Sequence, residues 1–315
     1  MNLLGCRLPE ATLASWERRL VFEREPVFVT PAVRRWLPAG AVVLSAAELR
    51  ENHALAPLDL WDSYGLYRTN RREAEVAFLT PAELWELPEE GRQELMALQA
   101  ERGRGQIYTE QWLHKVGVSR PGGARDRFEW AGSHRFALRH DAWWTLSPDE
   151  RRRWLLHFVS EERNSCLSGE LSPEEWRRIE ERHGPQIRLL AGTFAPESGP
   201  NCFATALAGA TRSEATALSI AGHWLHPEPF LRGLAERGFE LAPMPADLSA
   251  LPEGAVILFV DAEKRPQHAA YYLGEGLVLN KDAQGWFVPR QIRPVTELMA
   301  EWLTEPVRAH IYVRR

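Results

Sequence analysis

Two stretches of this 315-residue chain carry side chains able to attack a carbonyl and move a proton. In Gly199-Pro200-Asn201-Cys202-Phe203-Ala204-Thr205-Ala206-Leu207, a turn pair and a capping Asn precede an Ala-rich apolar run. Cys202 is therefore expected in the first turn of a helix, where unpaired N–H groups and the positive end of the dipole favour a thiolate. Acyl transfer also needs a base within reach and a third group that fixes the base's tautomer. The run from Gln267 to Asp282 offers both. It reads as two alternating strands joined by Gly274-Glu275-Gly276, a hairpin signal. With residues 274–276 as the loop, Leu273 pairs with Leu277, His268 faces Asp282 and Ala270 faces Asn280. Alternation then puts His268, Asn280 and Asp282 on one face, where either Asn280 or Asp282 can orient the imidazole. A change of one residue in the loop would turn them apart.

These residues carry a resemblance. Asn201-Cys202 opening a helix, a later Gly254-Ala255-Val256-Ile257-Leu258-Phe259 strand, His268-Ala269-Ala270-Tyr271-Tyr272-Leu273-Gly274, and a polar residue twelve positions after the His together resemble the NlpC-type branch of the papain-like cysteine peptidases. The likeness covers roughly residues 190 to 315. It implies Cys202 as nucleophile, His268 as base and Asn280 as orienter, with Asp282 as the alternative, on a Cys-bearing helix packed against an antiparallel sheet. The family's usual Asp-Cys-Ser-Gly is here Asn201-Cys202-Phe203-Ala204. The Cys202 N–H at the helix start is one expected oxyanion donor, and Asn201 is placed on the substrate and oxyanion side.

The activity implied is a cysteine hydrolase, a peptidase or amidase, cutting an amide or isopeptide bond through a thioester on Cys202, with no cofactor. Passing the acyl group to an amine or alcohol would make the same site an acyltransferase, and a scaffold without turnover would make a binding protein. The expected partner is a peptide or other amide-bearing substrate, proteins included.

Each residue also has a plain structural reading. Free cysteine is among the most buried residue types, and Asn280 can simply cap a turn. Cys6 and Cys166 lack a base in a comparable setting and are read as inert. His223 and His226 stand at a spacing that metal sites use, but Pro227 interrupts the segment and no metal is expected.

Composition sets wider bounds. With 44% hydrophobic and 26% charged residues and a net charge of −5, the chain belongs among ordinary globular proteins and lacks the basic footprint of a nucleic-acid binder. Three scattered cysteines form neither a disulfide framework nor a zinc set and suit a reducing compartment, so a cytoplasmic protein is expected. The start lacks a charged n-region with a long apolar run, and no stretch approaches the length of a membrane span.

The elements that must hold the chemistry follow an α+β order. Residues 1–187 read as a mainly helical, Trp-rich domain, and 188–315 as the papain-like one, with the break at Gly184-Pro185 and the Pro/Gly-rich run after it. Thr80-Pro81-Ala82-Glu83, Ser147-Pro148-Asp149-Glu150 and Ser172-Pro173-Glu174-Glu175 each combine a capping hydroxyl, Pro at the first helical position and a Glu that can bond back. Strands are expected at Val27–Val29, Ala41–Leu44, Arg135–Arg139, Ala255–Val260 and Ala309–Val313. Pro121-Gly122-Gly123 reads as a loop, and most Trp residues are assigned to the core.

Overall fold

All three capping sequences open helices, at Pro81–Glu86, Pro148–Ser160 and Pro173–His183. In each, the Ser or Thr oxygen accepts from the Glu backbone N–H and the Glu carboxylate accepts from the cap residue's N–H. Reciprocal bonds of this kind satisfy donors that the helix itself leaves unpaired. The computed structural model describes residues 1–52, 54–67, 75–119, 127–160 and 166–315; the loop at Pro121-Gly122-Gly123 lies outside them.

The chain divides into two units, one of Ala14–Phe158 and the other of Met1–Leu13 with Val159–Arg315. This differs from a break at 187/188. Arg7 donates its N–H to Gly192 O at 2.7 Å, which knits the first residues into the C-terminal unit. The helix Pro173–His183 belongs there too, because His183 Nε2 donates to Leu273 O at 2.9 Å and Nδ1 accepts from the Tyr271 hydroxyl at 3.0 Å. The Gly-Pro turn that suggested a boundary is a bend within one unit.

Besides its helices, Ala14–Phe158 holds two three-stranded antiparallel sheets. One places Glu75–Leu79 between Glu25–Val29 and Val42–Ser45; the other places Ser133–Ala137 between Ile107–Thr109 and Arg127–Trp130. The strands at 75–79, 107–109 and 127–130 go beyond the expected set. Trp16, Trp143 and Trp154 are fully buried, as the core assignment requires, whereas Trp144 is exposed.

One buried polar feature of this unit is Glu25, which accepts from Arg104 Nη2 at 2.6 Å and from the His140 N–H at 3.0 Å, both side chains of the ion pair being out of solvent. Burial pushes the Glu25 carboxyl upward, against the pull of Arg104 and Arg139. Removing one partner strands the other charge, so Arg104→Leu is expected to destabilise the protein by about 3–5 kcal/mol in urea unfolding. A loss below about 1 kcal/mol would show that water or another group takes over.

The C-terminal unit begins with a short hairpin of β1 (Asn2–Leu3) and β2 (Cys6–Arg7). After α1 (Pro173–His183) and α2 (Cys202–Gly209) come β3 (Phe239–Ala242), β4 (Val256–Val260), β5 (Pro266–Gly274), β6 (Leu277–Asn280), β7 (Gln291–Pro294), α3 (Val295–Trp302) and β8 (Arg308–Arg314). The six later strands form one antiparallel sheet in the order β7-β6-β5-β4-β8-β3. The architecture is α+β. Each face carries its own core. Cys202, Phe203, Ala206 and Leu207 of α2 pack on Leu258, Ala269, Tyr271 and Leu279, while Val295, Leu298 and Met299 of α3 pack on Ile257, Phe259, Ala270 and Val278. Each large apolar side chain buried this way contributes roughly 1.5–3 kcal/mol. Small residues let α2 lie close: a Cβ on Gly209 would meet the Tyr271 ring at 2.7 Å.

Candidate active site

The β5–β6 hairpin decides which side chains share a face. Its turn is the two-residue Glu275-Gly276, both with positive φ (52° and 77°), so that Gly274 rather than Leu273 pairs with Leu277. A bulge at Leu273-Gly274 absorbs the difference. Beyond it, Tyr272 pairs with Val278 and Tyr271 with Leu279, the expected register.

His268 and Asn280 accordingly meet. His268 Nε2 lies 2.7 Å from Asn280 Oδ1, and Asn280 Nδ2 donates to Asp282 Oδ1 at 2.6 Å. Asp282 is in turn 3.3 Å from Arg293 Nη1. The two candidate orienters act in series. A carboxylate only accepts, so Asp282 fixes the amide with Oδ1 toward the ring; Nε2 must then carry the proton and Nδ1 the lone pair. Nδ1 is buried and has no hydrogen-bond partner among the described residues.

Trp302 of α3 stacks on the imidazole at 4.1 Å between ring centroids with an interplanar angle of 6°. Burial dominates His268 and pulls its pKa down to about 4, against Asp282 and the Asn280 bond, which favour the charged form. The ring is neutral at neutral pH. The sign for stability follows: between the ordinary value of 6.5 and about 4, the unfolded chain takes a proton that the folded chain refuses. Stability is retained above pH 6.5 and falls as the pH drops through that window, by roughly 3 kcal/mol at the lower end. Because His183 is also held down by burial, the His268 share is the difference between wild type and His268→Gln. Urea unfolding at pH 7 and 4.5 should show the wild type losing about 2 kcal/mol more than the variant; equal losses would contradict the assignment.

Cys202 occupies the first position of α2, as expected, with Asn201 as cap. Two features here bear on the expected chemistry, and the first overturns the expected thiolate. First, the thiol is 7% exposed, and burial pushes its pKa up to about 11, outweighing the N–H groups of Ala269, Phe203 and Cys202 itself and the charge of Lys281. Helix-terminal N–H groups do act on the sulfur, but desolvation wins and the resting form is the thiol. Second, Asn201 gives its Oδ1 and one Nδ2 N–H to the fold, which leaves the other amide N–H as its remaining donor. Its Oδ1 accepts from Ala204 N–H at 3.1 Å and Leu225 N–H at 3.4 Å, and its Nδ2 donates to Leu225 O at 2.8 Å.

The sulfur sits against the Ala269 N–H, one peptide bond from the residue that bears the imidazole. No hydrogen bond joins Cys202 to His268 Nδ1 among the described residues. Alternation explains it: Ala269 faces α2, whereas the His268 ring turns toward Phe259 and Trp302. A proton passed between them must travel around the start of β5.

Two neighbours were not foreseen. Trp302 continues the α3 stripe of Val295, Leu298 and Met299, and only that helical spacing could have marked it. Lys281 is fully buried, and its Nζ donates to Gly285 O at 2.9 Å. A lysine two positions after Leu279 extends an inward-facing row, which is the signal that was available. His223 Nδ1 bonds Ser219 O at 2.6 Å, and the His226 ring lies tilted against Trp224, 4.7 Å between centroids. Among the described residues, no His, Cys, Asp and Glu cluster has the arrangement of a metal site. Nor is any described helix long and apolar enough to cross a membrane.

Set beside known proteins, the chain matches no family model, no curated protein and no solved structure.

Proposed function

We propose that the C-terminal unit is a papain-like, NlpC-type cysteine hydrolase that cuts an amide or isopeptide bond of a peptide or protein in the cytoplasm. One observation carries the reading: a buried, neutral imidazole is held in one tautomer by Asn280 and Asp282, leaving an unpartnered Nδ1 lone pair beside the peptide whose N–H touches the Cys202 sulfur. An unsatisfied buried acceptor is costly, on the order of 1–3 kcal/mol, and an active site is where such a cost is kept. In the reaction, the thiol proton is relayed through a water around the start of β5 to Nδ1 as sulfur attacks the carbonyl carbon. The imidazolium then protonates the departing amine, and water resolves the thioester with His268 again as base. Trp302 shields the His268–Asn280 bond from water, which strengthens it.

The buried thiol and its raised pKa favour a second reading, a binding protein on the same scaffold. Incubating the protein with a p-nitrophenyl acyl ester and recording the intact mass separates the two. An acyl adduct on Cys202 that decays with turnover supports the hydrolase; persistent thiol with no ester consumed supports the binding protein. An adduct discharged to an added amine instead of water would make the enzyme an acyltransferase.

A further inference from the structure

Cys6 and Cys166, far apart in sequence, are both fully buried, and each thiol is close enough to act on the ionisation of the other. The pair is held from both sides. The β1–β2 turn, Leu4-Gly5, has positive φ at both residues (51° and 73°) and presses on the Cys166 backbone: a Cβ on Gly5 would lie 2.1 Å from Cys166 O. Cys166 N–H donates to Leu4 O at 2.9 Å. The Cys166 thiol donates to Ser168 Oγ at 3.0 Å, Ser168 donates to Gly5 O at 3.2 Å, and the Ile292 N–H of β7 donates to the Cys166 sulfur at 3.3 Å.

We propose that Cys6 and Cys166 form a peroxide-sensitive dithiol that closes to a disulfide and latches the β1–β2 hairpin to the C-terminal sheet. The two sulfurs are not equivalent. Donation from Cys6 and from the backbone N–H groups of Ser168 and Ile292 holds the Cys166 thiol down to about 6, while Cys6, the donor of the pair, is pushed well above the usual thiol range. Cys166 is the attacking sulfur and Cys6 the resolving one. The oxidant is hydrogen peroxide, small enough to reach a buried pair when the short β1–β2 hairpin opens. The Cys166 thiolate attacks one peroxide oxygen, the O–O bond breaks, and hydroxide leaves; Cys166 becomes a sulfenic acid after proton exchange. Cys6 sulfur then attacks Cys166 sulfur, its proton and the sulfenic hydroxyl leave as water, and the S–S bond forms. Two thiols are oxidised and one peroxide is reduced to two waters. In a reducing compartment such a pair rests as thiols and responds to oxidant, which is the common use of disulfides there.

The test treats the full chain with hydrogen peroxide, quenches in denaturant with N-ethylmaleimide and maps the unreduced peptides. A Cys6–Cys166 cross-linked peptide, lost on dithiothreitol treatment, is expected, with at least tenfold slower amide exchange over residues 1–8 in the oxidised protein. In Cys6→Ser, dimedone should trap Cys166 as the sulfenic acid. If that variant does not fold, the wild-type map decides alone. Peroxide-treated protein in which Cys6 and Cys166 are alkylated as fully as in untreated protein would overturn the proposal, as would Cys166 advancing to the sulfinic acid beside a free Cys6. The same map reports Cys202 separately, so this result does not depend on the hydrolase reading.

Discussion

Cys202→Ala is expected to abolish acyl-ester turnover, by at least about 10,000-fold, while leaving the fold in place. A loss of that size corresponds to roughly 5 kcal/mol of barrier. The structural cost is much smaller, because Ala fits the first helical position and the residue removed contributes one sulfur to a core that also holds Phe203, Leu207 and Leu258; about 1 kcal/mol in urea unfolding is expected. The two readouts therefore separate chemistry from packing. Turnover within tenfold of wild type in a folded Cys202→Ala protein would remove the nucleophile from this site.

His268→Ala comes next in size. Without Nδ1 the thiol has no acceptor, and loss of a positioned base slows acyl transfer by roughly 100- to 10,000-fold. This variant is less silent structurally, since it opens a space between Trp302 and Phe259, about 2–4 kcal/mol by analogy with other large-to-small core changes. His268→Gln fills more of that space but supplies no comparable base, so it should lose the same activity at a lower cost in stability. Activity that tracks stability across the two variants, rather than the presence of the imidazole, would make His268 a core residue.

The parts of this site legible in sequence are those set by short-range rules. Period-two alternation and a hairpin turn were enough to bring His268, Asn280 and Asp282 together, and the bulge at Leu273-Gly274 corrected a turn one residue too long without changing the shared face. Capping pairs marked three helix starts for the same reason: their partners lie three residues apart. What escaped depends on contacts between distant segments. The alternation that unites His268 with Asn280 also turns Ala269, not His268, toward α2, and only packing α2 on the sheet reveals it. The N–H groups around Cys202 were evident, but the depth of its burial was not, so the balance between dipole and desolvation came out on the wrong side. Asn201 has the composition of a polar site residue, yet Leu225 bonds its Oδ1 and one of its Nδ2 N–H groups. The unit boundary likewise depends on Arg7 reaching Gly192 and His183 reaching Leu273.

The most direct test of the central claim is the pH dependence of Cys202 alkylation by iodoacetamide, measured in wild type and His268→Ala. If Nδ1 takes the thiol proton as sulfur attacks, the wild type should react on a plateau from about pH 5 upward, set by His268 rather than by the thiol's own high pKa. The variant should react about 100-fold more slowly at pH 7, its rate rising tenfold per pH unit toward the thiol's pKa. Identical rates with the same rise in both proteins would mean that sulfur and imidazole do not work together.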